Sequence, residues 1–174
     1  MVMKIFEERR SIRKFEDKPV EEEKLQAVLE AARLAPSWAN RQCWSFVVVK
    51  DPAIRQALSE KLEGNPCQKG VAQAPVLIAA CADPELSGHQ GDQHYYLVDI
   101  GICLEHLVLE AWSQGLGTCW IGAFNEEALK PVLGVPDHIR LVAMTPLGYA
   151  VRIPDERGRK SRDEIVFYDR YGSS

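Results

Sequence analysis

From Tyr95 to Gln114 the chain is apolar on nearly every face of a helix, with Leu97, Val98, Ile100, Ile102, Leu104, Leu107, Val108, Leu109 and Ala111. A surface helix keeps its apolar residues to one stripe, so a helix apolar all round belongs in a core or an interface. The chain has 174 residues, the size of one ordinary domain spanning residues 1–174. A chain of that size is hard pressed to cover such a helix on all sides. The segment therefore points to a dimer. Gly115 ends it.

The remaining elements alternate around this helix. Leu25, Val28, Leu29 and Ala32 recur at helical spacing within Glu21–Ala35, acids fill the first turn, and Pro36 follows the end. A β-rich run covers Ser45–Lys50. Asp51 and Pro52 then start a helix whose apolar face is Ile54, Leu58 and Leu62, since Asp caps and Pro is tolerated at the first helical position. Pro75–Ala82 is expected to be a buried strand. Strands are also expected at Thr118–Ala123 and at Ile139–Met144, the latter continuing through Pro146 to Tyr149, with a short helix opening at Asn125 between them. The longest polar connection, Pro84–Gln93, is a candidate lid or a plain surface loop. The tail, residues 151–174, carries Pro154, many charges and one strand-like piece at Ile165–Tyr168. It has no core of its own, so it must lie on this subunit or clasp another. Alternating strands and helices give an α/β or mixed α+β class.

Bulk properties exclude several functions. The net charge is −4, unlike the basic surfaces of nucleic-acid binders. No apolar run approaches the ~20 residues of a membrane span. Met1–Phe15 is charged and lacks the apolar segment of a signal peptide, so a cytoplasmic protein is expected. Five cysteines, Cys43, Cys67, Cys81, Cys103 and Cys119, include no C-x-x-C pair. Their odd number and scatter argue against a disulfide framework, and Cys81, Cys103 and Cys119 are expected to be buried small residues.

Four clusters could carry chemistry. Arg9, Arg10, Arg13 and Lys14, with Ser11 among them, lie at one end of the chain; Arg157, Arg159, Lys160 and Arg162 lie near the other. Arginine forks and a hydroxyl are suited to phosphate, although charge runs are more often solvated faces. The third cluster, Pro36 to Trp44, sets the amides of Asn40 and Gln42 beside two indoles. Such groups can pair with and wall a flat heterocycle, or simply anchor a loop. The fourth, Gly115 to Phe124, has glycines that allow close backbone approach, but not the G-x-G-x-x-G order of a dinucleotide fold. Cys103 and His106 share a helix face, yet no second pair completes a metal site. There is no G-x-S-x-G elbow and no Walker A loop. With no evident protein nucleophile or base, a cofactor is expected to carry the reaction.

Taken together, these clusters resemble the nitroreductase-like FMN enzymes. Arg9-Arg10-Ser11-Ile12-Arg13-Lys14-Phe15 resembles that family's R-x-S-x-R/K-x-F opening. Pro36-Ser37 with Asn40, Gln42 and Trp44 resembles its P-S-x-x-N-x-Q-P-W loop. Gly115 to Phe124 resembles its G-L-G-T-x-W-I-G-x-F strand, Leu147-Gly148-Tyr149 its L-G-Y segment, and Lys160-Ser161-Arg162 its closing phosphate-binding element. The matches come in family order over nearly the whole chain.

The resemblance implies an α+β fold with a central, mainly antiparallel sheet flanked by helices, in an intertwined homodimer whose tail, 151–174, wraps the partner. It implies that Arg9, Ser11, Lys160 and Arg162 hold the FMN phosphate, with Arg10 close by, and that Arg13 reaches the pyrimidine side of the ring. Asn65 and Lys69 resemble further flavin contacts. Pro36, Ser37 and Asn40 would address the partner's flavin, and Gln42 would be a further cofactor-binding residue. Trp120, Ile121, Gly122 and Ala123 would run along the ring, with the backbone N–H groups of Gly122 and Ala123 at flavin N5. The implied activity is a two-step cycle: NADH or NADPH reduces the flavin, then an electron-poor small molecule of nitroaromatic or quinone type is reduced in turn. Dehalogenation on the same fold and a flavin-binding or sensing module are the alternatives. Cys43 departs from the family's Pro, and Gly122 stands where some members carry an acid.

Overall fold

The computed structural model describes residues 2–173. Its main sheet has four strands in the order β1-β2-β6-β5, each pair antiparallel: β1 (Trp44–Val49), β2 (Val76–Ala82), β6 (Arg140–Gly148) and β5 (Gly117–Thr118). β3 (His89–Gln90) and β4 (Gln93–His94) form a separate hairpin. The helices are α1 (Lys4–Glu8), α2 (Glu22–Arg33), α3 (Pro52–Glu60), α4 (Gln68–Gln73), α5 (Tyr95–Ser113) and α6 (Glu126–Leu133).

β2 explains the layering. All seven of its residues are buried, as expected of a strand covered on both faces. Side chains alternate along a strand, and here they feed two different cores. Ile78, Ala80 and Ala82 join Leu25, Val28, Ile100, Leu104 and Leu107 of α2 and α5. Leu77, Ala79 and Cys81 join Leu58, Val71 and Leu129 of α3, α4 and α6. The sheet is therefore sandwiched between two helical layers, and each fully buried Leu or Ile contributes roughly 1.5–3 kcal/mol.

Local signals place the helices. Asp51 caps α3 by accepting from the Ala53 N–H, with Pro52 in the first turn, and Asn125 caps α6 by accepting from the Ala128 N–H. α5 runs close to its expected bounds, and Ile100, Cys103, Leu104, Leu107, Val108 and Ala111 are buried on this chain. Leu97 and Val98, however, remain 48% and 54% exposed. Among the described residues, no helix is long and apolar enough to cross a membrane.

Two expectations need correction. The segment Thr118–Ala123 is not a continuous strand. It pairs at Gly117–Thr118, breaks, and touches β6 again only through an Ile121–Met144 bridge. Ile165–Tyr168 is not a strand either. It follows a short 3-10 helix, Arg162–Glu164, whose Ser161 and Glu164 form a reciprocal capping box, so local side-chain capping outweighs β propensity there. The 84–93 connection is a 3-10 turn, Pro84–Leu86, followed by the β3–β4 hairpin.

Candidate functional site

The N-terminal basic segment is extended and stitched to the sheet. Ser11 bridges Thr118, the Ile12 N–H donates to the Thr118 carbonyl at 2.7 Å, and the Val151 N–H donates to the Lys14 carbonyl at 3.2 Å. Ile12 and Phe15 point into the core. Ser11 and Arg13, on either side of Ile12, turn the other way, towards the start of the tail. The result is a cleft lined by Arg9, Arg10, Ser11, Arg13, Pro154, Asp155, Arg157 and Arg159. Segments roughly 145 residues apart in sequence thus contribute five guanidinium groups to one concavity. Arg9 and Arg10 each reach one acid only at the margin of ion-pair contact, Glu105 at 3.8 Å and Glu156 at 3.9 Å. An adjoining cleft is lined by Ser11, Arg13, Lys14, Val151, Arg152 and Pro154.

α4 closes in on this segment because Gly70 has no side chain: a Cβ there would lie 2.8 Å from the Arg13 carbonyl oxygen. Asn65, just ahead of α4, accepts from the Cys67 N–H at 2.8 Å and donates to the Ala123 carbonyl at 3.0 Å. Asn65 therefore connects the α4 approach to the Gly122–Ala123 segment. Lys69 is exposed on α4, and Trp120, Gly122 and Ala123 are exposed while Ile121 is buried. Among the described residues, the Gly122 and Ala123 N–H groups donate to no protein acceptor. Arg13 Nε is buried without a partner, so one face of this guanidinium has unspent hydrogen-bonding capacity.

The Pro36–Trp44 loop is strained. Ala39, Asn40 and Gln42 all have positive φ, at 47°, 56° and 52°, a conformation that costs non-glycine residues energy and persists only where surroundings enforce it. The enforcing group is Asp99 of α5, which is 2% exposed. It accepts from the Trp38 N–H at 2.8 Å, the Ser87 hydroxyl at 3.1 Å and the Cys43 thiol at 3.5 Å. The Ser37 hydroxyl adds an acceptor for the Gln42 N–H at 2.9 Å. Trp38 stacks on Tyr95. Pro36, Asn40 and Gln42 are exposed and line neither basic cleft.

The family model described as Nitroreductase family matches residues 6–149. The chain belongs to the nitroreductase family. A crystal structure of a nitroreductase family protein from Clostridium novyi NT is similar, with a TM-score of 0.82 and 36% identity, over 98% of this chain and 95% of that one. The oxygen-insensitive NADPH nitroreductase of Salmonella typhimurium is 31% identical over 93% of this chain and 71% of its own length. Iodotyrosine deiodinase 1 of Rattus norvegicus is 29% identical over 93% of this chain and 67% of its own.

Within this nitroreductase fold, the structure brings Arg9, Arg10, Ser11 and Arg13 to one cleft with Arg157 and Arg159. Lys160 and Arg162 are exposed and do not line it. They follow on the tail, where Ile153 and Ile165 are each 60% exposed and Tyr171 is 95% exposed. Cys43, in place of the family's Pro, supplies a thiol donor to Asp99 that Pro lacks. Burial, with the Asp99 charge next to it, pushes the Cys43 thiol up to about 11. Sequence reasoning passed over Asp99. Its signal was an acid set between Val98 and Ile100 in the apolar run from Tyr95, where a buried charge needs donors.

Proposed function

We propose that this chain is an NAD(P)H-dependent FMN oxidoreductase that reduces an electron-poor small molecule of nitroaromatic or quinone type. The observation that carries the reading is the convergence of Arg9, Arg10, Ser11 and Arg13 with Arg157 and Arg159 on one cleft. Five cations outnumber the nearby acids, Asp155 in the lining and Glu105 and Glu156 at the margin of ion-pair contact, so the cleft favours an anion, and arginine forks fit phosphate oxygens.

The donor set fits FMN in three further respects. The uncommitted Gly122 and Ala123 N–H groups offer donors to N5 of a planar ring. The uncommitted Nε of Arg13 offers a donor and a positive charge to its pyrimidine edge, where reduction concentrates negative charge. Exposed Trp38 and Trp120 offer aromatic walls. When bound, FMN supplies hydride acceptance from the nicotinamide and onward transfer to the acceptor. The protein's own part is to hold the phosphate, fix N5 against backbone donors and supply fixed charge. Asn65 keeps the Ala123 carbonyl turned towards itself, which leaves the neighbouring N–H groups free to face the ring.

A homodimer completes the site in this reading. The exposed Leu97 and Val98 of α5 and the exposed Ile153, Ile165, Tyr168 and Tyr171 of the tail are apolar surface of the kind that marks an interface. The 151–174 tail wraps the partner, bringing Lys160 and Arg162 towards a phosphate, and the Pro36–Gln42 loop meets the partner's flavin. Similarity to a deiodinase keeps reductive dehalogenation as a second reading; a panel of nitroaromatic, quinone and halogenated acceptors separates the two.

The test begins with flavin-stripped protein titrated with FMN, followed by NADH or NADPH without oxygen. Stoichiometric binding, bleaching of the flavin absorbance and recovery on adding acceptor are expected. A monomer that does not bind FMN would overturn the reading. Bound flavin that bleaches with neither nicotinamide would leave only a binding module.

A further inference from the structure

Two cysteines far apart in sequence meet beneath the site. Cys67 precedes α4, and Cys119 follows β5. Their sulfurs lie 2.9 Å apart, and both residues are 3% exposed. That separation is inside ordinary thiol contact and needs only a small further approach to the ~2.05 Å of an S–S bond. The surroundings are polarised. The positive charge of Arg13 lowers both thiols, and the Ser11 hydroxyl lowers that of Cys119. The Cys119 N–H is held by the Thr145 hydroxyl at 3.1 Å, and the Cys67 N–H by Asn65, so both backbones are fixed. The other three thiols lack this setting: burial pushes Cys43 and Cys81 up to about 11 and Cys103 up to about 12.

We propose that Cys67 and Cys119 form a reversible dithiol–disulfide pair, a redox modification site buried behind the Ser11–Arg13 segment, for which small hydroperoxides are the oxidant. Cys67 is the attacking sulfur. The hydrogen bond from Cys119 holds its thiol below the ordinary cysteine range; burial opposes this and Arg13 reinforces it. The same hydrogen bond and burial drive Cys119 upwards, so it stays the proton-bearing partner. In the first step the Cys67 thiolate attacks a peroxide oxygen, the O–O bond breaks, and the departing oxygen takes a proton from solvent, leaving Cys67 as a sulfenic acid. In the second, the Cys119 sulfur attacks the Cys67 sulfur, the S–O bond breaks, and hydroxide leaves as water with the Cys119 proton. Two electrons pass from two sulfurs to one peroxide. An external thiol returns them by exchange.

Closing the bond ties the start of α4 to the exit of β5 and removes the negative sulfur that the charge of Arg13 favours. The pairing is absent from any C-x-x-C pattern because 52 residues separate the partners. The site stands on the sulfur geometry alone, independent of whether flavin binds.

The test uses the full-length protein as isolated. It is reduced with excess thiol, desalted, treated with one to a few equivalents of hydrogen peroxide, quenched in acid, denatured and alkylated. Intact mass is expected to fall from five alkyl groups to three, with a Cys67–Cys119 cross-linked peptide, and renewed thiol treatment should restore five. Cys67→Ser should keep all four of its remaining thiols after the same treatment, Cys119→Ser should form no bridge and lose at most the Cys67 thiol as an unresolved sulfenic acid, and Cys81→Ser should still lose two. Five alkyl groups in oxidised wild type, a bridge between other cysteines, or loss of two thiols in Cys67→Ser would overturn the proposal. Repeating the experiment with bound FMN keeps its failure distinct from failure of the flavin reading, because the thiol count does not depend on turnover.

Discussion

Replacing Asp99 tests whether one buried carboxylate enforces the strained Trp38 loop. Asp99→Ala removes the acceptor of the Trp38 N–H, the Ser87 hydroxyl and the Cys43 thiol. A hydrogen bond to a charged group is worth about 1.5–3 kcal/mol, and a buried donor left unmade costs about 1–3 kcal/mol. Ser87 is half-buried and regains water, while the thiol bond is weak. The Trp38 amide therefore dominates, and the loss is expected to be about 3 kcal/mol, or roughly 6–12 °C in Tm for a chain of this size. Asp99→Asn keeps one oxygen for Trp38 and lets Ser87 turn round to accept from the new amide, so about 1 kcal/mol is expected. Differential scanning fluorimetry reads both shifts. Trypsin provides a local readout, since Arg41 is exposed in the same loop, and cleavage after it should accelerate more in the Ala variant than in the Asn variant. Equal Tm values for the two variants, or unchanged cleavage at Arg41, would refute the role assigned to Asp99.

Arg159→Ala should weaken FMN binding by about 10- to 100-fold in a fluorescence titration, the worth of one charge-assisted phosphate contact, with little change in Tm. Gly117→Ala should destabilise the fold by about 1–3 kcal/mol in urea unfolding, because a Cβ there would come within 2.5–3.0 Å of three Ile12 side-chain atoms. Glu126 accepts from Arg140 and from the Leu141 N–H. Partial burial works against its ionisation, but these bonds outweigh that and set its carboxyl below the usual value. A depressed folded-state value gives stability that is present above the unfolded value and lost as pH falls through the folded one. Wild type should therefore exceed Glu126→Gln by ~1 kcal/mol at neutral pH, and the difference in thermal melts should shrink as pH falls below the ordinary glutamate value of about 4.3 and vanish only below the lower folded-state value.

The apolar continuity of Pro75–Ala82 identified a strand buried on both faces, and β2 is one. Helix boundaries were legible wherever a cap and a period coincided, as at Asp51–Pro52 and Asn125. Both basic segments of the cleft were visible as charge clusters. What periodicity could not reveal was which members of the second cluster face the first: Arg157 and Arg159 line the cleft, while Lys160 and Arg162 do not. That choice depends on how the tail leaves β6, a three-dimensional property with no local signature. Residues 118–123 carry strand-like composition, yet their pairing is interrupted because Ile121 reaches Met144 by a lone bridge. The Cys67–Cys119 contact and the Asp99 hub are likewise products of long-range packing, on which spacing along the chain is silent.

The position of β6 bears on how the protein is made. This strand lies between β2 and β5, yet it is the last of the four to leave the ribosome. Until residue 148 emerges, β2 has only β1 to pair with and leaves its other edge open. The N-terminal Phe15 also waits, since its bridge partner is Ala150. β6 and β5 must therefore join the β1–β2 pair together, late in synthesis. A nascent chain paused in α6 exposes a long apolar edge that chaperones would need to shield.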